Sequence, residues 1–288
     1  MVDRAPELCE LHALRALRTD VVARLRAAGC VFAEEEADIL LEHTAGDAEL
    51  LEELASQRAA GAPLEPLVGW VDFGGLRLAV GPGVFVPRQR TLALAERAAA
   101  QVEACFRPGG TAPVVVEAFA GVAPVAAYLQ AACPEAEVYA CELDAVARKH
   151  ATANLRLGAV LEADVLDGLP EDLRGRVDII AAVPPYVPDG ELELLPREAR
   201  EHEPLAALTA GVDGMRWIAA LIEQATAWLA PGGVLLIELA GDQEPIAARL
   251  GERIGLTAAR NELIDLDDSE ELTTVVLGLR RGCSPVLG

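Results

Sequence analysis

From Val114 onward the sequence repeats one unit, a short apolar run followed by an amphipathic stretch of helical length. Val114 to Ala118, Glu137 to Cys141, a short run near Val160, Val177 to Ala182 and Val234 to Glu238 read as strands. Pro124 to Ala132, Asp144 to Leu155, Gly214 to Leu229 and Gln243 to Arg253 read as the helices between or after them, and two more strands follow around Leu256 to Leu263 and Leu272 to Leu279. Such alternation predicts an α/β fold, a mostly parallel sheet with helices on both faces. Ligands of such sheets bind beyond the carboxyl ends of the strands, so the residues that end each run are the first to examine.

The segment before the sheet has a different rhythm. Leu11, Leu14, Leu17, Val21, Val22 and Leu25 recur at helical spacing and Gly29 follows as a stop; two further amphipathic stretches cover Glu34 to His43 and Asp47 to Ala60. Val71, Phe73, Leu76, Leu78 and Val80 then alternate around Gly74-Gly75, the pattern of a β-hairpin. The expected organisation is a helical bundle over 1–64, a hairpin linker over 65–90 and the sheet domain over 91–288.

Composition narrows the partners. With 24 basic against 46 acidic side chains the net charge is −22. Such a surface repels phosphate backbones and anionic lipids, which argues against nucleic-acid and membrane partners. The six cysteines include no C-x-x-C pair and no histidine at ligand spacing, so no metal site is expected and the thiols read as those of a reduced, cytoplasmic protein. No signal-peptide pattern opens the chain and no apolar run approaches the ~18 residues of a membrane span.

Three strand ends carry the chemistry. The first runs Glu117-Ala118-Phe119-Ala120-Gly121-Val122-Ala123-Pro124, the second Cys141-Glu142-Leu143-Asp144, the third Ala163-Asp164-Val165. A glycine-bearing turn after the first strand, an acid placed for both ribose hydroxyls about 20 residues on, and an Asp placed for an adenine amino group together describe an adenosine-type pocket.

On these strand ends, and on further motifs, the chain resembles the HemK family of S-adenosylmethionine (SAM)-dependent protein-glutamine N-methyltransferases over nearly its whole length. The motifs are Glu65-Pro66-Leu67-Val68-Gly69-Trp70, Gly83-Val84-Phe85-Val86-Pro87-Arg88, Pro185-Tyr186-Val187-Pro188, the stretch from Arg197 to Pro204, and Asp213-Gly214. The resemblance implies a Rossmann-like class I methyltransferase sheet with a small N-terminal helical bundle and a connecting β-hairpin. It implies SAM as cofactor, held by Glu117, Phe119, Gly121, Ala123, Glu142, Leu143, Asp164 and Val165. It places the reaction at Val183, Pro184, Pro185 and Tyr186, with Phe85, Arg88, His202 and Glu203 lining the substrate. The family's acceptor is the glutamine amide of a Gly-Gly-Gln loop in release factors.

Two departures bear on that acceptor. The turn that reads acid-x-x-x-Gly-x-Gly in the family carries Ala123 at its second glycine, where a Cβ would intrude on the methionine end of the pocket. The active-site motif Asn-Pro-Pro-Tyr is Val183-Pro184-Pro185-Tyr186 here. In the family the Asn carbonyl accepts a hydrogen bond from the substrate amide and orients its nitrogen; valine has no acceptor. Apolar residues also follow Thr91 (Leu92) and replace the family's acid-Gly-Gly within Ala207-Leu208-Thr209-Ala210-Gly211. Three readings follow: a methyltransferase acting on a non-glutamine acceptor such as a small metabolite, the family's own protein-glutamine methylation, and a non-methylating enzyme or scaffold on the same fold. The partner is accordingly a small-molecule or a protein substrate.

Overall fold

The computed structural model describes residues 5–106, 110–264 and 274–282. Leu272 and Thr273 of the expected last strand, and Cys283, lie outside the described residues. The chain divides into two compact units, Met1–Trp70 with Pro196–His202, and Val71–Leu195 with Glu203–Gly288. The division runs through the stretch 65–90, whose short helix belongs with the bundle and whose hairpin belongs with the sheet.

In the first unit, helices α1 (Ala5–Ala27), α2 (Ala33–Thr44), α3 (Ala48–Ala59) and α4 (Leu64–Val68) bury Val21, Val22, Leu25, Ala37, Leu40, Leu51, Leu54 and Val68 together. Asp47 starts α3 by accepting from the N–H groups of Glu49 and Leu50, which satisfies donors that have no partner inside the helix. Arg58 is buried and its planar guanidinium meets Glu36 in two bonds of 2.6 and 2.9 Å. A third bond from Arg58 goes to Glu198, which fastens the segment 196–202 to the bundle.

The second unit opens at Val71, within the hairpin β1 (Trp70–Phe73) and β2 (Leu76–Ala79), followed by α5 (Leu92–Cys105). Then come β3 (Val114–Ala118), α6 (Pro124–Ala132), β4 (Glu137–Glu142), α7 (Ala145–Asn154), β5 (Ala159–Glu162) and β6 (Val177–Ala182). After β6 the chain passes through α8 (Arg197–His202) in the other unit and returns for α9 (Arg216–Trp228), β7 (Leu229–Ala240), α10 (Glu244–Arg253), β8 (Leu256–Ile264) and β9 (Thr274–Arg281).

The strands form a seven-stranded sheet in the order β5-β4-β3-β6-β7-β9-β8. All pairs are parallel except β7–β9 and β8–β9, which are antiparallel. All five residues of β3 are buried, because helices cover both faces of the sheet. Val71, Phe73 and Leu78 of the hairpin join the apolar cluster on one face, together with Leu94, Val115 and Ile179. The other face packs Val116, Ile180 and Ile237 against Ile218, Leu221 and Ile222 of α9. β7 begins at Leu229, five residues ahead of the expected Val234: Leu229 pairs with Val177, and a register shift absorbs the Pro231-Gly232-Gly233 turn.

The strand order reverses between β3 and β6. Ala118 at the end of β3 is level with Cys141 of β4 on one side and with Ala182 of β6 on the other. Phe119 and Val183 are therefore the first residues beyond the sheet on neighbouring strands, at the topological switch point.

Candidate active site

At the β3 end, the turn Phe119–Ala123 is built from left-handed backbone. Phe119, Gly121 and Ala123 have φ of 52°, 55° and 63°. Only glycine adopts this region without steric cost, so Ala123 holds its position against roughly 1 kcal/mol of strain. Its methyl group is buried in the apolar cluster that contains Val122 and Val125. The intrusion into the pocket expected from the sequence thus gives way to a packed core position. At Gly121, by contrast, a Cβ would stand in open space, so the room above the turn lies at this residue. Asn154 of α7 braces the turn, donating at 2.8 Å to Val122 O and at 3.0 Å to Ala79 O of the hairpin.

Glu117 and Glu142 serve this turn differently. Glu117 is buried and accepts from Val125 N at 3.2 Å and Ala126 N at 2.7 Å. It thereby caps α6, whose first residue Pro124 has no N–H and whose N-terminal neighbour Ala123 has no side-chain acceptor. Burial, with the nearby negative charge of Glu142, raises its pKa to about 8 even though both backbone bonds favour the anion. Glu142 is half-buried at the end of β4, its two carboxylate oxygens accepting from Gly121 N at 2.7 Å and Asp144 N at 2.8 Å. These bonds fix its orientation and leave each oxygen a further lone pair.

Beside Glu142, Leu143 is 56% exposed. Asp164 is exposed, in a tight turn closed by bonds between its backbone and that of Asp167, and Val165 behind it is buried at φ 63°. A fixed carboxylate, an exposed apolar side chain and a second carboxylate suit an adenosine, whose ribose hydroxyls and amino group donate and whose ring face is apolar.

At the β6 end, Val183 is half-buried and packs on the cluster around Val115 and Ala123. Pro184 and Pro185 are buried, and the main chain of Tyr186 is pinned from behind: Gln243 Nε2 donates to its carbonyl at 2.8 Å. A Cβ on Gly214, which has φ 70°, would overlap that same carbonyl, and this is why glycine stands there. Beyond Tyr186, Val187 pairs with the Leu208–Ala210 stretch through bonds of 3.0 Å in both directions, which brings the sequence-flagged segment 207–211 back to the motif.

Around Tyr186 the structure assembles a polar cluster. Arg90 donates from a terminal nitrogen to the Tyr186 hydroxyl at 2.8 Å and from Nε to Glu238 at 3.2 Å. Thr91 also hydrogen-bonds Glu238. Arg88 pairs with Glu203 at 2.7 Å, and its guanidinium stacks on Phe85 at 4.5 Å. Burial pushes the Tyr186 hydroxyl and the Glu238 carboxyl above their ordinary pKa ranges, and Arg90 opposes both shifts. Phe119 meets the indole of Trp217 edge-on at 6.1 Å.

Of the residues expected from the sequence, Phe85, Arg88 and Glu203 come together, and Val183 to Tyr186 lie at the adjoining strand end. His202 is an exposed residue of the first unit, at the end of α8. Arg90, Glu238, Trp217 and Gln243 were missed. Glu238 could have been found, because it is an acid that closes the apolar run Val234 to Ile237, although the strand itself continues to Ala240. Arg90 follows Arg88 by two residues but carried no signal of its own. Among the described residues there is no cluster of His, Cys, Asp or Glu that could hold a metal, and no helix is long and apolar enough to cross a membrane.

A sheet of this order, with its site at the carboxyl ends of β3 and β6, defines the class I methyltransferase fold. The 16S rRNA N2 G1207 methyltransferase of T. thermophilus, solved with AdoMet and guanosine, shares it at a TM-score of 0.50 and 22% identity, over 74% of this chain and 49% of that one. Within that class the chain belongs to the family of release factor glutamine methyltransferases, the HemK type. It is 38% identical over 244 residues to the release factor glutamine methyltransferase of Mycolicibacterium smegmatis, covering 78% of this chain and 84% of the relative. It is also 41% identical over 184 residues to a 4-amino-L-phenylalanine/4-methylamino-L-phenylalanine methyltransferase of Streptomyces pristinaespiralis, covering 63% of this chain and 62% of the relative. The chain thus spans less than two thirds of that relative's length. No family model matches the chain.

Proposed function

We propose that this chain is a SAM-dependent N-methyltransferase whose acceptor is the amine of a small metabolite rather than a protein glutamine. Val183 carries the reading. It occupies the first position beyond β6, level with the cofactor turn on β3, where the family has Asn. A glutamine amide presented to a valine leaves an N–H donor unpaired, at a cost of about 1–3 kcal/mol. Its nitrogen lone pair is also conjugated with the amide carbonyl and needs a polar group to orient it. An arylamine also carries N–H donors, but its lone pair, shared only in part with the ring, stays nucleophilic without a polar group to orient it and needs only to be aligned. An apolar wall serves that purpose, and the name of the Streptomyces relative, an aryl-amine methyltransferase, supports the same acceptor class.

In this reading Glu142, Leu143 and Asp164 hold the adenosine of SAM, and the open space above Gly121 receives its amino-acid end. SAM supplies an electrophilic methyl group when bound. The chain's own work is to hold the amine in line at the switch point and to exclude water there: Val183, Pro184 and Pro185 form the apolar wall, and Tyr186 is fixed beside it.

The test is methyl transfer by the full chain to 4-amino-L-phenylalanine and, separately, to a Gly-Gly-Gln peptide, read by mass spectrometry. The amine should be methylated and the peptide should not. Val183→Asn should raise transfer to the peptide by roughly tenfold or more, the equivalent of one recovered buried hydrogen bond. Faster methylation of the peptide than of the amine by the unaltered chain would overturn the reading.

A further inference from the structure

The polar cluster at the ends of β6 and β7 contains two guanidinium groups with an uneven environment. Their partners Glu203 and Glu238 are almost wholly buried, with side chains 4% and 2% exposed, whereas Arg88 and Arg90 are 31% and 35% exposed. Each cation therefore straddles the boundary, neutralised on its inner side and accessible on its outer side.

The contacts described for Arg90 take Nε and one terminal nitrogen, and those for Arg88 take one terminal nitrogen and one face of the plane. A guanidinium has five N–H donors in a rigid fork, so both groups retain outward donors in a fixed orientation. The two also share one neighbourhood, since Arg88 acts electrostatically on both Tyr186 and Glu238, the partners of Arg90.

The location gives the pair a purpose. Ile237 is level with Ala182, so Glu238, which anchors Arg90, stands level with Val183. The hydroxyl that Arg90 holds belongs to Tyr186, three residues further along the acceptor motif. In a chain of net charge −22 most of the surface repels an anion, so what these two groups offer one is their outward N–H donors at short range.

We propose that Arg90, together with Arg88, is a carboxylate anchor: it binds an acidic head group on the acceptor and so turns the acceptor's amine toward Val183. The acceptor class is then an amine that also carries a carboxylate, as an amino acid or aryl-alkanoic acid does. This rests on the amine reading of the acceptor above. Glu203 and Glu238 preorganise the two forks, and Phe85 holds the plane of Arg88.

Two arylamines that differ only in the head group test the anchor on the unaltered chain: 3-(4-aminophenyl)propanoate and 4-propylaniline. Binding is measured by calorimetry in the presence of the demethylated cofactor product, and transfer by steady-state kinetics. The acid should bind roughly 10- to 100-fold more tightly, the range of one or two charge-assisted hydrogen bonds, and its kcat/KM should exceed that of the aniline by at least as much. Arg90→Gln should shrink the acid-to-aniline ratio at least tenfold. Arg90→Lys, which keeps the charge and loses the fork, should fall between. A merely structural arginine would lower turnover of both compounds and leave their ratio unchanged.

Equal binding and equal kcat/KM for both compounds, with transfer to both, would overturn the anchor and leave the amine reading intact. A ratio that survives both Arg90→Gln and Arg88→Gln would also overturn it. Tight binding of the acid without transfer to either compound supports the anchor and counts against the amine reading. Absence of binding by either compound overturns the anchor.

Discussion

The two ends of the site are held together by different kinds of bond. At the ends of β3, β4 and β5, the acids are bound by main chain: Glu117 by Val125 N and Ala126 N, Glu142 by Gly121 N and Asp144 N. At the ends of β6 and β7, side chain meets side chain: Arg88 with Glu203, Arg90 with Glu238 and with the Tyr186 hydroxyl. Backbone donors persist through almost any substitution, so the first end needs only an acid at the right place in each strand. The second end can be rewired by exchanging one residue for another. On the function proposed above, that contrast accounts for a chain 38% identical to a glutamine methyltransferase keeping the acids at the first end while carrying Val183 at the second.

The largest expected effect lies at the backbone-held end. Glu142→Ala removes the oriented carboxylate while the surrounding N–H groups remain. If both ribose hydroxyls donate to it, the affinity for SAM should fall roughly 100-fold or more, since each hydrogen bond to a charged group is worth about 1.5–3 kcal/mol. Calorimetry on the folded variant measures this. A loss smaller than about threefold would mean that Glu142 orients the turn without holding the ligand, and the contrast between the ends would lose its functional content.

The same difference governs what could be read from the sequence. The alternation of strands and helices, the hairpin around Gly74-Gly75 and the acidic ends at Glu117, Glu142 and Asp164 are legible because they are local: periodicity sets the element and the element sets where its last residue points. The cluster of Arg90, Tyr186 and Glu238 is not local. Its members are separated by 96 and 148 residues in the chain and meet only through the order of the sheet. Glu117 shows a subtler limit. Its place at the end of β3 was visible, but its task, capping α6 from inside the core, depends on Pro124 and Ala123 having no donor or side-chain acceptor to offer there.

A second, intermediate effect separates the two acids of the backbone-held end. Burial raises the Glu117 pKa to about 8, from 4.5 in an ordinary environment. In that window the folded chain keeps a proton that the unfolded chain has released. Its contribution to stability is therefore complete below pH ~4.5 and is lost as pH rises toward ~8. Glu117→Gln keeps an acceptor for the α6 N–H groups and removes the titration. The unaltered chain should lose several degrees of Tm between pH 6 and 8.5 relative to the variant, roughly 2–4 °C for each kcal/mol in a protein of this size. Parallel Tm-against-pH curves would show that the carboxyl is not held in its neutral form.

The smallest effect is expected at Ala123, and it sharpens the comparison most. Ala123→Gly relieves left-handed strain of about 1 kcal/mol, but it removes a buried methyl group worth about 0.8 kcal/mol and loosens the unfolded chain. The terms nearly cancel, so stability by urea unfolding should change by less than about 1 kcal/mol. Because that methyl lies in the core cluster, SAM affinity should stay within about threefold. Gly121→Ala differs on both counts: it forces a side chain onto φ 55° and places the methyl in the open space above the turn. It should weaken SAM roughly tenfold or more. Equal losses from the two changes would put both residues against the ligand. Unequal losses in this order mean that the family's second glycine answers to the backbone alone, and that alanine can replace it at the cost of strain without closing the pocket.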